Sequence, residues 1–198
     1  YVDHALRGLD KNIFAGKKVI SAIKGILPES NLLLNEYLKN EFNVELADYF
    51  AVLGPCHAEE VASEKLSYLT FTGIDKKTTH EIANSFTTEY INTVENEDIY
   101  GVQYAAVLKN IYAVGSGIAH GLDYGDNFLS VFIANCADEM AGFLKKAGIK
   151  NIEVGHTDIR NPAADHKPAN YAASVYLGDL LVTCYSLHSR NRAFGNMI

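Results

Sequence analysis

The chain has 198 residues, 48% hydrophobic and 21% charged, the balance of an ordinary soluble globular protein with room for one large domain or two small ones. A formal net charge of -7 excludes nonspecific nucleic-acid binding, so an anionic ligand needs a local basic cluster working against the overall field. Three widely spaced cysteines, Cys56, Cys136 and Cys184, match neither a disulfide framework nor a metal site and suit a reducing cytosol, and no membrane span, signal peptide or internal repeat is visible.

In chain order, residues 1–11 read as a short helix with Ala5, Leu6 and Leu9 on one side. Residues 18–23 form a β-rich run that Lys24-Gly25 ends. A helix is expected over 30–42, with Ser30 as its N-cap. Strands are expected over 49–53, 66–72 and 90–94, and helices over 56–64 and 75–87, the second capped by Asp75. Strands alternating with helices in this way predict α/β units and a largely parallel sheet. Beyond Glu97-Asp98 no convincing strand follows. Helices are expected over 101–121, 129–146 and 172–185, with loops over 122–127 and 151–170; Pro162 and Pro168 mark the second. Gly148 is the expected stop of the helix over 129–146, whose Leu129, Phe132, Ile133, Cys136, Met140, Phe143 and Leu144 share a face. The fold class is therefore α/β followed by all-α, with a division into 1–98 and 99–198.

The stretch 101–121, GVQYAAVLKNIYAVGSGIAHG, is apolar almost all round, which predicts a buried central helix. At helical spacing Lys109 shares a face with Val102, Ala105, Ala106, Tyr112 and Ala113. No Asp or Glu lies between Asp98 and Asp123 to neutralise it on the same helix. A lysine buried in this way lowers its pKa and becomes a candidate acid or base near neutral pH. The alternative is a side chain that snorkels to solvent along its four-carbon stem.

Three other segments can carry chemistry. Lys24-Gly25 closes a strand, where ligands bind in parallel α/β sheets, though a solvated lysine is also expected there. Gly54-Pro55-Cys56-His57-Ala58 opens a helix at another strand end, where free N–H groups favour an anion. Cys56 and His57 as nucleophile and base is a further reading, but adjacent residues face each other poorly and no third group orients them. A turn with Cys56 as filler is the plain alternative. Finally, Ser189-Arg190-Asn191-Arg192, after Gly178-Asp179, makes a phosphate clamp or simply a basic helix end. Residues 115–121, GSGIAHG, imitate a dinucleotide fingerprint but have one residue too many and follow a helix, so these glycines read as close helix packing or a helix end.

The order KG, GPxxAxEVA, LKN, GIAxGL with GDN, and GDLxxTCxSxxSRNRxFG resembles NAD(P)-dependent glycerol-3-phosphate dehydrogenase of the bacterial type. Here these segments are Lys24-Gly25, 54–62, Leu108-Lys109-Asn110, 117–127 and 178–195. The resemblance implies the C-terminal part of a Rossmann-type NAD(P)-binding domain over 1–98 and a helical substrate domain over 99–198. It implies NAD or NADP as cofactor and hydride transfer to dihydroxyacetone phosphate, giving sn-glycerol 3-phosphate for glycerophospholipid synthesis. It also implies a cytoplasmic homodimer. Lys109 would be the acid/base, with Lys24 and Asp179 beside it. Substrate would meet Lys24, Gly54, Cys56, Lys109, Asp179, Ser189, Arg190 and Asn191, and cofactor would meet Lys24, Ala58 and Arg190. No metal is implied. Asn110 and Thr183 are secondary choices that orient the lysine and the phosphate.

The family's glycine fingerprint and first two strands are expected before Tyr1, and a helical tail after Ile198. The expectation is therefore the middle of a longer protein, with little or no activity on its own. Cys56 stands where the family usually has Ser or Thr. A longer segment, 148–177, replaces a glycine-rich approach to Asp179. Two rivals stand beside this reading: a Rossmann dehydrogenase acting on a hydroxy acid, which the SRNR clamp disfavours, and a non-catalytic helical interaction module.

Overall fold

The computed structural model describes residues 2–149, 175–186 and 188–198. Tyr1, the expected loop over 151–170 and the first residues of the helix expected over 172–185 lie outside the described residues.

Among the described residues the chain runs α1 (Val2–Leu6), β1 (Val19–Ser21), α2 (Leu34–Phe42), β2 (Tyr49–Leu53), α3 (Ala58–Ala62), β3 (Ser67–Thr72), α4 (Lys76–Phe86) and β4 (Ile91–Asn96). Helices α5 (Ile99–Gly121), α6 (Gly125–Lys146), α7 (Leu177–Tyr185) and α8 (Arg190–Met197) follow. An α/β part is thus followed by a helical part.

The sheet has the order β1-β2-β3-β4 and is mixed rather than largely parallel. β1 with β2 and β3 with β4 are parallel, but β2 and β3 run antiparallel, with Ala51 opposite Thr72 and Leu53 opposite Thr70. The reason lies in the connection. A parallel return needs a crossover that carries the chain back along the sheet. Here α3 is barely more than one turn, and Glu64, at φ 55°, reverses the chain straight into β3. β2 is buried on both faces along most of its length, which explains its unbroken apolar run Tyr49-Phe50-Ala51-Val52-Leu53.

Two local expectations change. Ser30 does not cap α2: that helix begins at Leu34, and the Glu36 carboxylate accepts the Leu33 N–H at 3.1 Å. The loop expected over 122–127 is shorter, because Asp123 and Gly125 take positive φ and α6 starts at Gly125. Asp75 caps α4 as expected, accepting the Thr78 N–H at 3.2 Å. Gly148, at φ 87°, follows the end of α6.

Helix α5 is the axis of the helical part. It packs on β2 as well as on α6, α7 and α8. Every residue placed with Lys109 on one face (Val102, Ala105, Ala106, Tyr112 and Ala113) is buried. The core joins that face to Leu129, Ile133, Met140 and Leu144 of α6 and Leu180 and Cys184 of α7. Phe143, expected on the inner face of α6, is 45% exposed and edges against Tyr104 instead. The glycines of 115–121 serve packing: a Cβ on Gly117 would sit 2.0 Å from the Arg192 carbonyl oxygen, and one on Gly195 would sit 2.1 Å from that of Val114. The α5 and α8 backbones therefore touch.

Asp98 fastens the start of α5. Its Oδ1 accepts the Gly101 N–H at 2.8 Å, and its Oδ2 accepts the Tyr176 hydroxyl at 2.6 Å. Asp98→Ala removes a helix cap and the tie to the residue before α7, so thermal denaturation should show a loss of about 1–2 kcal/mol. Among the described residues, no helix is long and apolar enough to cross a membrane.

Candidate functional site

A cavity of about 430 Å³ opens where the α/β and helical parts meet. Lys24 reaches it from the segment after β1, His57 from the start of α3, and Lys109 and Asn110 from α5. Thr183 comes from α7, and His188, Ser189, Arg190 and Asn191 from the start of α8. Segments far apart in sequence thus converge on one basic hollow in an acidic chain.

Lys109 does not snorkel. Its side chain is 4% exposed, and it pairs with Asp179, itself 1% exposed. The carboxylate missing from α5 is supplied by the first turn of α7, where the helix N-terminus favours negative charge. Lys24 Nζ lies 3.6 Å from the same Asp179 Oδ2 and remains partly open to solvent. Burial is the largest influence on Lys109 and lowers its pKa to about 8; Asp179 opposes the shift and Lys24 adds to it. The result is one buried carboxylate between two ammonium groups, with the deeper one poised near neutrality.

The opposite wall is built by α8. Ser189 caps it, its Oγ accepting the Arg192 N–H at 3.2 Å. Free N–H groups at that end favour an anion, and Arg190 adds a charged fork. Asn191 Nδ2 donates to Asn110 Oδ1 at 2.9 Å, which ties α8 to the residue after Lys109. The Thr183 hydroxyl donates to the Asp179 carbonyl at 2.6 Å, so its hydrogen is already engaged.

The structure brings together Lys24, Lys109, Asp179, Ser189, Arg190 and Asn191, with Asn110 and Thr183 beside them. Gly54, Cys56 and Ala58 do not line the cavity. Gly54 adopts φ 136°, and a Cβ there would meet the Tyr68 carbonyl oxygen at 2.6 Å, so its demand is for a tight turn. Cys56 is half-buried within electrostatic reach of Lys24 and Asp179, and burial pushes its thiol pKa up, which suits filler better than nucleophile. Ala58 is the exposed first residue of α3. His188 was not singled out by the sequence, because nothing in its spacing marks a residue that only the fold brings opposite His57. Among the described residues, no group of three His, Cys, Asp or Glu is placed to hold a metal ion.

Comparisons with known proteins agree on one family. The family model for the N-terminus of NAD-dependent glycerol-3-phosphate dehydrogenase matches residues 1–79, and that for its C-terminus matches residues 98–198. The glycerol-3-phosphate dehydrogenase [NAD(P)+] of Streptococcus suis is 35% identical over 181 residues, which are 91% of this chain and 48% of that protein. The one from Halalkalibacterium halodurans is 32% identical over 198 residues, 100% of this chain and 52% of that protein. Among solved structures, glycerol-3-phosphate dehydrogenase from Coxiella burnetii superposes with a TM-score of 0.75 at 24% identity, covering 92% of this chain and 50% of that one. The Plasmodium falciparum enzyme gives 0.76 at 24% identity, covering 99% and 49%. The chain spans about half the length of the curated relatives it matches.

Proposed function

The chain belongs to the NAD-dependent glycerol-3-phosphate dehydrogenase family, a family of oxidoreductases, and from that premise we propose that its cavity serves hydride transfer between NAD(P)H and dihydroxyacetone phosphate, giving sn-glycerol 3-phosphate for glycerophospholipid synthesis. The observation that carries this is the pairing of Lys109 with Asp179 on one side of a cavity whose other side is the Ser189-Arg190-Asn191 turn. One side suits a carbonyl that must gain a proton, the other a phosphate.

The residues present fit an NAD(P) cofactor. The parallel strands β1 and β2 end on the same side of the sheet, and the segment after β1 sends Lys24 into the cavity. Lys24 and Arg190, which line the cavity, would hold its nicotinamide end, and bound there it would supply the hydride for the carbonyl carbon. Lys109 then gives its proton to the carbonyl oxygen, with Lys24 steadying the charge that develops there. Asp179 fixes the Lys109 ammonium in place. Ser189, Arg190 and Asn191 hold the phosphate and thereby the carbonyl's position. Gly54 and Cys56 shape the turn behind Lys24. The division into a cofactor part over 1–98 and a substrate part over 99–198, a homodimer and a cytoplasmic location complete this proposal.

The test is oxidation of reduced nicotinamide on addition of dihydroxyacetone phosphate, in this chain and in a version lengthened at both ends to the span of its relatives. Equal turnover of an unphosphorylated keto acid would overturn the substrate assignment. Neither the hydroxy-acid reading nor the interaction module gains support from the comparisons, and nor does the expectation that this chain is inactive.

The pH dependence has a definite sign. Reduction needs protonated Lys109, so its kcat should hold level below about pH 7 and fall about tenfold per unit above about 8. Oxidation of glycerol 3-phosphate should rise over the same range. The folded state holds that proton less tightly than an ordinary lysine at 10.5, so Lys109 costs stability below pH 8. The cost should fade as pH climbs from about 8 to 10.5.

A further inference from the structure

We propose that His57 and His188 form an imidazole pair that binds the substrate's phosphate and makes that affinity depend on pH. This rests on the cavity being the phosphate-binding site argued above. Both rings line the cavity and stand edge to face with centroids 6.2 Å apart. They come from different parts of the chain, His57 from the turn opening α3 and His188 from the residue before the Ser189 cap. Ser186 joins them: its Oγ accepts the His188 backbone N–H at 3.1 Å and lies 3.5 Å from His57 Nδ1. A hydroxyl donating to Nδ1 leaves the neutral ring its proton on Nε2, a donor suited to a phosphate oxygen. Because His188 directly precedes Ser189 and Arg190, the pair belongs to the α8 end of the cavity, away from the reacting carbonyl.

The charged surroundings favour an anion against these rings. Lys24 follows β1, Lys109 comes from α5 and Arg190 from α8, against Asp179 on α7 and Glu60 on α3, with the Cys56 thiol kept neutral by burial. Asp179 is already shared by Lys109 and Lys24. No carboxylate is paired with either imidazole among the described residues, so a phosphate is the anion left for them to meet. Imidazole is the side chain whose charge ordinarily changes between about pH 5 and 8, so a pair of them attracts an anion more strongly at the acid end of that range.

Sulfate is the direct probe, because it stays dianionic across the range and any pH dependence belongs to the protein. Its affinity for the chain, read from calorimetry or from thermal shift, should weaken roughly three- to tenfold from about pH 5.5 to about 7.5, below the Lys109 transition. In the double variant His57→Asn/His188→Asn the affinity should be weak and flat over that range. His188→Asn alone, at an exposed position, should lose part of the dependence with an unchanged melting temperature in the absence of sulfate. In turnover, the KM for dihydroxyacetone phosphate should lose its rise above pH 6.5 in the variants, while kcat keeps its fall near 8. A pH dependence of sulfate binding that persists in the double variant, or its absence in the parent, overturns the proposal. A failed turnover assay beside a normal sulfate titration would count against the reaction instead.

Discussion

Lys109→Met should abolish the proposed turnover while the chain still folds. The methionine keeps the length and apolar character of the lysine stem against Val102, Ala106 and Ala113, all of them buried without measurable exposure. Only the proposed proton donor is lost. Removing a positioned general acid lowers kcat on the order of 10²- to 10⁴-fold. Asp179 keeps Lys24 at 3.6 Å, so the variant does not strand a buried carboxylate without any cation. Unfolding should therefore remain a single cooperative transition, while oxidation of reduced nicotinamide falls to background. A role confined to packing predicts no loss of rate, and full activity in the methionine variant would remove Lys109 from the mechanism. A companion change separates the roles of the pair. Asp179 holds the Lys109 pKa up against burial, so Asp179→Asn should let it fall further. The alkaline limit of reduction then moves below pH 8 rather than merely losing amplitude.

The second large effect comes from a residue that touches no ligand. Gly117→Ala places a methyl 2.0 Å from the Arg192 carbonyl oxygen and 2.8 Å from the Asn196 nitrogen, both backbone atoms of α8. Backbone cannot swing aside as a side chain can, so α8 must shift outward. Overpacking of this kind costs about 1–3 kcal/mol. The functional cost should be larger than the stability cost, because α8 begins with Arg190 and Asn191 and is capped by Ser189. A displacement of about 1 Å can cost on the order of 10²-fold. The expected signature is a lowered melting temperature with a KM for the phosphorylated substrate that rises more than kcat falls. Gly142→Ala is the control. It lies within α6 with nothing within 4 Å of its Cβ position, so it should stabilise the fold by about 0.5–1 kcal/mol and leave KM unchanged. Equal behaviour of the two alanines would refute close α5–α8 packing as the reason for Gly117.

Much of this molecule is legible without coordinates. Helix α5 announces itself by a long apolar run with one lysine in it, and its inner face follows from spacing alone, because a helix places residues three and four apart side by side. Strand β2 and the Asp75 cap are equally local, written in runs and single residues that need no distant partner. The motifs Lys24-Gly25, Leu108-Lys109-Asn110 and Ser189-Arg190-Asn191 point to the family by residue type and order alone. Tertiary structure decided what depends on distant segments meeting. The antiparallel step between β2 and β3 depends on a short α3 and a reversal at Glu64, while apolar alternation within a strand says nothing of its neighbour's direction. The partner of Lys109 sits seventy residues away at the start of α7, because burial forces a charge to find its opposite wherever packing brings one near. The His57–His188 pair exists only because α3 and α8 open toward the same hollow. Periodicity is a property of one segment, whereas a site is a property of several, and only the packing around α5 sets them at reacting distance.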